Sequence, residues 1–311
     1  MNQMWTHPAI SVIIPAYNEG AVIGDVVSQV HGTLHSYNDN YEVLVVDDGS
    51  TDQTAAFAQE AGAQVIQHPY NIGNGAAVKT GIRNAQGEVI VMLDGDGQHD
   101  PTDIPRLLEK VGPYDMVVGA RSKESETGIH RDAANRIYNW LASYICGRKI
   151  EDLTSGFRAV KADIARGFMY LLPNEFSYPS TITLALVRSG YSLAYIPIRT
   201  ARRVGKSKIR LLQDGSRFFL IILKIATFFS PMKVFLPASV LMFSVGFGYG
   251  LYKVVALNAR YGPTSAMLMT MAILVFLVGL VSEQVAQLRF DKSERTHRTH
   301  KSTHEADRGD D

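Results

Sequence analysis

The chain has 311 residues, of which 46% are apolar, and its 31 Lys and Arg residues balance 30 Asp and Glu residues. This near-neutral charge gives no support to a nucleic-acid-binding protein, which would carry a strong basic excess. The single cysteine, Cys146, excludes an internal disulfide framework and a zinc site built from cysteines. The N-terminus lacks a basic segment followed by a long apolar core, so no cleaved signal peptide is expected.

Residues 9 to about 200 alternate between predicted strands and helices. The strands are short, rich in Val and Ile, and span 9–15, 41–48, 63–68, 88–94 and 115–120. Apolar residues recur at helical spacing in 19–37, 51–61 and 75–85. This alternation predicts an α/β domain whose mostly parallel sheet is covered on both faces by helices. Ligands of such sheets bind beyond the carboxyl ends of the strands.

After about residue 210 the composition changes, and long apolar stretches follow. Residues 217–231, RFFLIILKIATFFSP, predict a helix in the membrane interface, with a core helix of the soluble domain as the alternative. Residues 234–257 and 265–282 are each long enough to cross a hydrocarbon layer of ~30 Å and predict a transmembrane hairpin, with buried soluble helices as the alternative. Basic residues flank the hairpin, which predicts a multi-pass protein of the cell (inner) membrane with both termini in the cytoplasm.

Four regions are therefore predicted. A catalytic domain spans 1–208, an interfacial amphipathic helix 209–231, a transmembrane hairpin 232–288 and a cytoplasmic tail 289–311. The tail is polar and lacks apolar periodicity, which predicts disorder. In the first span, the glycines of GFGYG, residues 246–250, are expected to pack against another helix or within the hairpin.

The fourth predicted strand runs into an acidic stretch, VMLDGDGQHDP, at residues 91–101. Glycines on either side of Asp96 let the backbone turn and bring the carboxylates of Asp94 and Asp96 to one point. A few hard oxygen ligands suit Mg²⁺ or Mn²⁺, with substrate phosphates completing the coordination shell. The alternative is a polar loop with helix-capping aspartates, the role expected of Asp100 and Asp103.

Two further polar clusters end predicted strands, PAYNE at 15–19 and VVDDGSTDQT at 45–54. An Asp pair in this position can accept hydrogen bonds from a base or ribose, while Tyr17 could flank the base and Glu19 bind the ribose. Each stretch taken singly is ordinary turn chemistry. GNGAAV at 73–78 lacks the third glycine of the dinucleotide-binding fingerprint and follows the third strand, which argues against a Rossmann dehydrogenase.

In their order and spacing, PAYNE, VVDDGSTDQT, NIGNGAA, DGDGQ and TSGFR resemble the family 2 glycosyltransferases, and among these the polyprenyl-phosphate (dolichyl-phosphate) hexose synthases. The resemblance covers about residues 9–230, and the hairpin is similar to that of a membrane-anchored subgroup. It implies a GT-A fold, a nucleotide-diphosphate sugar donor, and Mg²⁺ or Mn²⁺ surrounded by Asp94, Asp96 and Gln98. The predicted donor-binding residues are Pro15, Tyr17, Glu19, one or both of Asp47 and Asp48, Lys79 and Gly95.

Basic residues in loops before the membrane segments are candidates for binding a lipid phosphate, because Arg can bind phosphate through two parallel hydrogen bonds. RRVGKSK at 202–208 resembles the family's flexible acceptor loop. The predicted acceptor residues are Arg121, Arg131, Arg158, Arg202, Arg203, Lys206 and Lys208. A basic patch attracted to anionic lipid is a compatible alternative.

The predicted reaction is an inverting transfer of a hexose from GDP-mannose or UDP-glucose to a polyprenyl phosphate at the cytoplasmic membrane face. A phosphate with a second pKa of about 6 needs no strong base, so the protein's work is positioning and charge neutralisation. The predicted catalytic residues are Asp94, Asp96, Arg121, Asp152 and Arg158. Asp152 is alternatively a base for a hydroxyl acceptor, a helix cap or a hydrogen-bond partner of Arg158.

Other functions fit parts of the same pattern. A glycosyltransferase acting on a hydroxyl of a glycolipid or polysaccharide, and a catalytically inactive membrane scaffold, are the alternatives. A processive polysaccharide synthase would be expected to carry a QxxRW motif and more membrane spans.

Overall fold

The computed structural model describes residues 9–122, 129–174, 178–200, 227–228, 230–258 and 260–306. The chain divides into two compact units, Met1–Lys208 and Ile209–Asp311. Each unit has its own architecture.

The first unit is built on a seven-stranded sheet. Its strands are β1 (Ile10–Ala16), β2 (Tyr41–Asp47), β3 (Gln64–Gln67), β4 (Val89–Met92), β5 (Met116–Arg121), β6 (Arg158–Lys161) and β7 (Leu193–Ile198). Their order across the sheet is β3-β2-β1-β4-β6-β5-β7. Strand β6 pairs antiparallel with β4 and β5, and the other neighbours pair in parallel. The predicted α/β fold with a mostly parallel sheet is confirmed, and the five predicted strands correspond to β1–β5.

Helices connect the strands and cover the sheet. They are α1 (Ile23–Tyr37), α2 (Thr54–Glu60), α3 (Asn74–Asn84), α4 (Ile104–Leu108), α5 (Ile129–Cys146), α6 (Ala162–Phe168) and α7 (Tyr178–Arg188), with short 3₁₀ turns at Pro101–Asp103 and Met169–Leu171. Helix α1 begins four residues later than predicted. The reason is that the backbone N–H group of Glu19 donates to the side chain of Thr54, the first residue of α2, and that of Gly20 donates to Asp52 in the loop before α2. These bonds hold the stretch as a loop.

The core lies on both faces of the central strand. All seven residues of β1 are buried, as expected of a strand that is apolar except for Ser11, whose hydroxyl donates to Glu42. Val12 and Ile14 belong to one buried cluster with the inner face of α1. On the opposite face, Gly81 of α3 approaches Ile13 so closely that an added Cβ would lie 3.1 Å from Ile13 Cδ1. Fully burying one such aliphatic side chain contributes ~1.5–3 kcal/mol to the stability of the fold. The packing of α1 and α3 on the two faces of β1 therefore fixes the strand ends that carry the site.

The second unit contains two long helices, α8 (Met232–Leu257) and α9 (Pro263–Ala306), packed as a hairpin. Both Met232–Leu257 and Pro263–Leu288 are long and apolar enough to cross a membrane, and only 17% of each apolar window is buried. Core helices of a soluble protein would be mostly buried, so this exposure favours the predicted membrane hairpin.

Glycines allow the two helices of the hairpin to approach each other closely. A Cβ at Gly246 would lie 2.9 Å from Leu268 Cβ, and one at Gly279 would lie 2.5 Å from Phe235 Cβ. Gly248 has nothing within 4 Å of such a Cβ. Of the two packing modes expected for GFGYG, Gly246 therefore packs within the hairpin.

Two further predictions concern the segments on either side of the hairpin, the tail after residue 288 and the interfacial helix at 209–231. Helix α9 continues to Ala306, whereas a disordered tail was predicted from residue 289. No Gly or Pro occurs from 280 to 306, so nothing in the sequence ends the helix at 288. Residues 307–311 and nearly all of the predicted interfacial helix at 209–231 lie outside the described residues.

Candidate active site

The polar loops meet at one edge of the sheet for a topological reason. Strands β1, β2 and β4 are parallel, so the loops after Ala16, Asp47 and Met92 leave from the same edge. Strand β6 runs the opposite way and pairs its first residue, Arg158, with Met92. The TSGFR motif therefore arrives where the acidic DGDGQ loop departs, although more than fifty residues separate them in the chain.

Asp94 is held between a glycine and a histidine. A Cβ added at Gly156 would lie 2.8 Å from Asp94 Cγ and closer still to Oδ2, so only glycine fits at this position of TSGFR. On another side, His99 Nε2 lies 3.5 Å from Asp94 Oδ2. Burial opposes ionisation of Asp94, but the hydrogen bond and charge of His99, with the charges of Arg158 and Arg121, hold its pKa below the usual value. Asp94 is therefore a carboxylate at neutral pH.

His99 was assigned no role from the sequence. Its side chain is buried, its ring centroid lies 5.3 Å from that of Phe157, and its Nδ1 is buried without a hydrogen-bond partner. The backbone at His99 also forms an antiparallel bridge with Thr200. The residue's position one place after DGDGQ was the only available signal, because its contact with Asp94 depends on the fold of the loop.

Asp96 and Gln98 form the exposed side of the same loop. The backbone N–H of Gln98 donates to Asp96 Oδ1 at 3.1 Å, and Gly97 has a φ of +72°, which favours glycine. A Cβ added at Gly95 would lie 3.1 Å from the carbonyl oxygen of Pro15, so this loop packs directly on the end of β1. Asp96 and Gln98 are both half-buried.

The donor set of this loop fits a divalent cation of the hard type. Two carboxylates and one amide oxygen, from Asp94, Asp96 and Gln98, are the kinds of ligand that Mg²⁺ and Mn²⁺ take in proteins. Within the described part of the chain, no group of three His, Cys, Asp or Glu side chains could hold a metal ion. The loop thus suits an ion that shares its coordination with substrate oxygens better than a closed structural site.

Asp100 and Asp103 were predicted to cap a helix, and the structure confirms this for Asp100. Asp100 Oδ1 accepts from the backbone N–H of Thr102 at 2.9 Å and caps the 3₁₀ turn. The prediction for Asp103 is wrong, because its carboxylate makes no capping hydrogen bond and pairs with Arg106 instead.

The second aspartate of the DDGS stretch organises a neighbouring loop. Asp48 is buried, and its carboxylate accepts from the backbone N–H groups of Ile72 (3.0 Å) and Gly73 (2.7 Å). Its Oδ1 also lies 2.7 Å from Nδ1 of His68, whose Nε2 lies 2.9 Å from Thr80 Oγ1. This network fixes the start of α3, where NIGNG lies. His68 was not predicted to take part in the site, since its partner is twenty residues away in the chain.

Asp47 and the PAYNE stretch form the outer part of this edge. Asp47 is buried and accepts from the backbone N–H of Ser50 at 3.0 Å and from Gln67 Nε2 at 3.3 Å. Pro15 is buried at the end of β1, Glu19 is half-buried and Tyr17 is 41% exposed. The structure thus brings the predicted donor-binding residues of these two motifs to one edge, with the Tyr17 ring open to solvent.

Lys79 lies apart from those residues, on α3. Its Nζ donates to the carbonyl oxygen of Leu172 at 3.2 Å and to Asn174 Oδ1. Burial lowers the pKa of Lys79, and the charge of Arg83 lowers it further. In this structure the ammonium group therefore ties α3 to the loop after α6.

Arg121 and Asp152 form a bidentate ion pair. Arg121 Nε and Nη2 donate to the two Asp152 oxygens at 2.8 Å each, and the backbone N–H groups of Thr154 and Ser155 donate to Oδ1 at 3.1 and 3.2 Å. Burial raises the pKa of Asp152, but the hydrogen bonds and charge of Arg121 outweigh it and hold that pKa below the usual value. Of the alternatives left open for Asp152, the hydrogen bond donated by Arg158 is not formed, since Arg121 takes that place.

Arg158 is completely buried. Its Nη1 donates to the carbonyl oxygen of Pro179 (3.0 Å) and to Thr183 Oγ1 (3.1 Å), and its Nη2 donates to the carbonyl oxygen of Ser155. Arg121 and Arg158 were predicted to lie in loops before the membrane segments. That placement is wrong, because they are the last residue of β5 and the first residue of β6.

The side chains of the remaining predicted acceptor residues lie outside the described part of the structure. Arg202, Arg203, Lys206 and Lys208 lie outside the described residues, and Arg131 lies in the part of α5 whose side chains are not described. These residues stay predictions from the sequence.

The fold and the acidic loop after β4 define a GT-A type glycosyltransferase. The profile of glycosyl transferase family 2 matches residues 11–167, and that of the GtrB C-terminal hairpin matches residues 230–288. The chain belongs to glycosyl transferase family 2, as the motif resemblance predicted.

Similar proteins agree with this membership. The chain is 30% identical to glycosyltransferase AglJ of Haloferax volcanii over 80% of this chain and 82% of that protein. It is 27% identical to an undecaprenyl-phosphate 4-deoxy-4-formamido-L-arabinose transferase of Klebsiella pneumoniae over 89% and 86% of the two chains. Among solved structures, glucosyl-3-phosphoglycerate synthase from Mycobacterium tuberculosis in complex with Mn²⁺ and UDP-glucose has a TM-score of 0.58 at 19% identity, over 70% of this chain and 78% of that one. This last likeness shows the fold alone.

Proposed function

We propose that the protein transfers a hexose from a nucleotide-diphosphate sugar to a polyprenyl phosphate at the cytoplasmic face of the membrane, with inversion at the anomeric carbon. The observation that carries the proposed acceptor, a polyprenyl phosphate, is the length of one alignment. An undecaprenyl-phosphate sugar transferase aligns with 89% of this chain, which is too much to leave the hairpin out. GDP-mannose and UDP-glucose are the proposed donors.

The donor would bind at the edge where β1, β2 and β4 end. The exposed Tyr17 ring would flank the base, with Pro15, Glu19 and Asp47 around the nucleoside. Asp48 would act through the backbone of the NIGNG loop, because its carboxylate already accepts from that loop. A divalent ion held by Asp94, Asp96 and Gln98 would neutralise the charge of the nucleoside diphosphate leaving group.

The state of Asp152 favours a phosphate acceptor over a hydroxyl. A hydroxyl acceptor needs a base to take its proton, and Asp152 is the candidate from the sequence. Its two oxygens are occupied by Arg121 and by backbone donors, and its pKa is lowered, which makes it a weak base. A phosphate monoester carries its charge already near pH 7, with a second pKa of about 6, and needs no such base.

The basic residues divide into two groups in this mechanism. Arg121 and Arg158 would act as fixed positive charges that shape the site, since both guanidinium groups are bonded to protein atoms. Arg131, Arg202, Arg203 and Lys208 are the proposed ligands of the acceptor phosphate.

A transfer assay tests the proposal. The purified full chain is incubated with a radiolabelled nucleotide sugar, Mn²⁺ and a polyprenyl phosphate, and labelled lipid is extracted. Asp96→Ala should reduce transfer by at least ~10³-fold, because charge stabilisation of the leaving group is lost. Glu60→Ala, at an exposed acid on α2, should transfer at the wild-type rate. Transfer to a hydroxyl-bearing glycolipid without transfer to the lipid phosphate would refute the proposed acceptor.

The single cysteine tests the proposed membrane face. Cys146 is partly exposed at the end of α5, in the catalytic unit. A membrane-impermeant maleimide should label it in inverted membrane vesicles and leave it unlabelled in intact cells. Labelling in intact cells alone would place the catalytic unit on the opposite face.

A further inference from the structure

His99 is a buried histidine that the proposed transfer does not use. The residue is 8% exposed, and its Nδ1 has no hydrogen-bond partner within the described part of the chain. An unpaired polar atom in a protein interior destabilises the fold, and an apolar side chain of similar size would avoid that cost. The imidazole therefore calls for a role other than packing. Its Nε2, which lies 3.5 Å from Asp94 Oδ2, supplies one.

Two elements fix the position of the His99 ring independently of Asp94. The ring lies against Phe157, with centroids 5.3 Å apart and planes 34° from parallel. Phe157 is fully buried in the hydrophobic core and directly precedes β6. The backbone of His99 forms an isolated antiparallel bridge with Thr200, two residues after β7 ends. The imidazole is therefore held by the sheet, and it provides a fixed point against which another side chain can be oriented.

Asp94 lies between this ring and the backbone of Gly156. Its side chain is 32% exposed, so part of the carboxyl group is open to solvent. A Cβ added at Gly156 would lie 2.8 Å from Asp94 Cγ, which shows that the carboxyl group packs directly on that glycine. A carboxylate only accepts hydrogen bonds, so the contact with His99 requires the proton of the imidazole to be on Nε2. The two contacts together restrict rotation of the carboxylate.

Hydrogen bonds of this kind orient the ligands of metal ions. A carboxylate that binds a metal generally accepts a further hydrogen bond, and removing the donor typically lowers metal affinity by about 10- to 100-fold. We propose that His99 is a positioning residue for the divalent ion, and that its Nε2–H holds the Asp94 carboxylate in the orientation in which Asp94 and Asp96 bind the ion together. The proposal rests on the proposed function, from which it takes the ion. His99 itself contacts neither the ion nor the sugar.

Three variants separate the N–H donor of His99 from its ring. His99→Phe keeps an aromatic ring against Phe157 and loses the donor. His99→Gln loses the ring but keeps a donor, because the amide nitrogen of Gln lies at a similar distance from the backbone as Nε2 of His. His35→Phe is the matched control. His35 also lies beside an aspartate, with Nδ1 2.7 Å from Asp39 Oδ1, but it is exposed in the last turn of α1.

Mn²⁺ binding is measured without turnover. The purified full chain is titrated with Mn²⁺ in the presence of UDP or of GDP, and free Mn²⁺ is read from its electron paramagnetic resonance signal. His99→Phe should weaken Mn²⁺ binding by about 10- to 100-fold, His99→Gln should recover most of that loss, and His35→Phe should bind like the unaltered chain. Unchanged binding by His99→Phe would overturn the proposal. An equal loss in His99→Phe and His99→Gln would also overturn it, because the effect would then belong to the imidazole as a whole and not to its N–H donor.

Asp96→Ala separates this proposal from the proposed metal site. If Asp96→Ala loses Mn²⁺ binding while His99→Phe keeps it, the metal site stands and the role of His99 is rejected. If the unaltered chain binds no Mn²⁺ with either nucleotide, or if Asp96→Ala binds it normally, the metal site is rejected and the role of His99 with it.

Transfer rates give an independent reading. In the assay of labelled lipid, His99→Phe should need about 10- to 100-fold more Mn²⁺ for half-maximal transfer, and excess Mn²⁺ should restore the rate to within about threefold of wild type. The KM for the lipid phosphate should stay unchanged, because His99 acts through Asp94. A lower rate that excess Mn²⁺ does not restore, at an unchanged Mn²⁺ requirement, would show a loosened fold and reject the positioning role.

Discussion

Gly156→Ala tests whether the TSGFR motif positions the acidic loop. The added methyl would lie 2.8 Å from Asp94 Cγ and Oδ1, whereas ordinary contact begins at 3.4 Å. The carboxylate must therefore move by at least ~0.6 Å, and misplacing a reacting group by about 1 Å can cost ~10²-fold in rate. We expect a 10- to 100-fold loss of transfer and a weaker apparent affinity for Mn²⁺, with about 1–3 kcal/mol of lost stability from overpacking.

The assay is a transfer rate over a Mn²⁺ titration, together with a thermal melt. Gly32→Ala is the matched control, since that glycine lies in α1 with nothing within 4 Å of an added Cβ. The stability loss should also shrink in an Asp94→Ala background, because all three nearest atoms belong to the Asp94 carboxyl. Wild-type Mn²⁺ affinity and rate in Gly156→Ala, or an undiminished stability loss without the carboxyl, would refute the reasoning.

His68→Ala should destabilise the protein by about 1–3 kcal/mol and raise the KM for the donor, because the buried Asp48 carboxylate loses a partner and the NIGNG loop loosens. Arg121→Ala should cost ~3 kcal/mol at pH 7 in a chemical melt by leaving Asp152 unpaired. Since the folded pKa of Asp152 is lowered, this pair stabilises above the unfolded pKa of ~3.9 and is lost as pH falls through the folded value, so the variant should show a flatter acid limb. Gly246→Leu should destabilise the hairpin in detergent by about 1–3 kcal/mol through a clash with α9.

Each of these variants has a control. His68→Gln should restore part of the lost stability, since its amide can still donate to Asp48. Arg121→Lys should keep the charge but lose the two-fold hydrogen bonding, and a melt identical to wild type would contradict the importance of that geometry. Gly248→Leu should melt like wild type, because Gly248 faces open space. Equal losses for both glycine variants would show that packing within the hairpin is not the cause.

The sequence predicted the parallel part of the sheet and the edge where the site lies. Runs such as ISVIIPA and YEVLVVD are long and apolar enough to be recognised as buried strands. The position of the acidic loop could be predicted from these runs, because the loop comes at the end of the fourth one. What was missed depends on pairings that no local pattern encodes.

Strand β6 is the main example. Its four residues, RAVK, are too short to show periodicity, and they overlap a motif that was interpreted only for its chemistry. The partner of Asp152 was missed for a related reason. Arg158 is closer in the chain, but as a strand residue its side chain is directed into the core, so Arg121, 31 residues away, reaches Asp152 instead.

Strand β6 runs antiparallel to β4, and their pairing fixes the position of the acidic loop whatever the length of the segment that connects β5 to β6. The chain leaves β4 at Met92, adds β5 to the sheet and returns to pair Arg158 with Met92, so insertions or deletions between Arg121 and Asp152 need not alter the contact between Asp94 and Gly156. The stretch that holds α5 can therefore change in length or sequence while the acidic loop after β4 keeps its contact with Gly156. The architecture thus separates a variable connecting segment from the fixed strand pairing that positions Asp94.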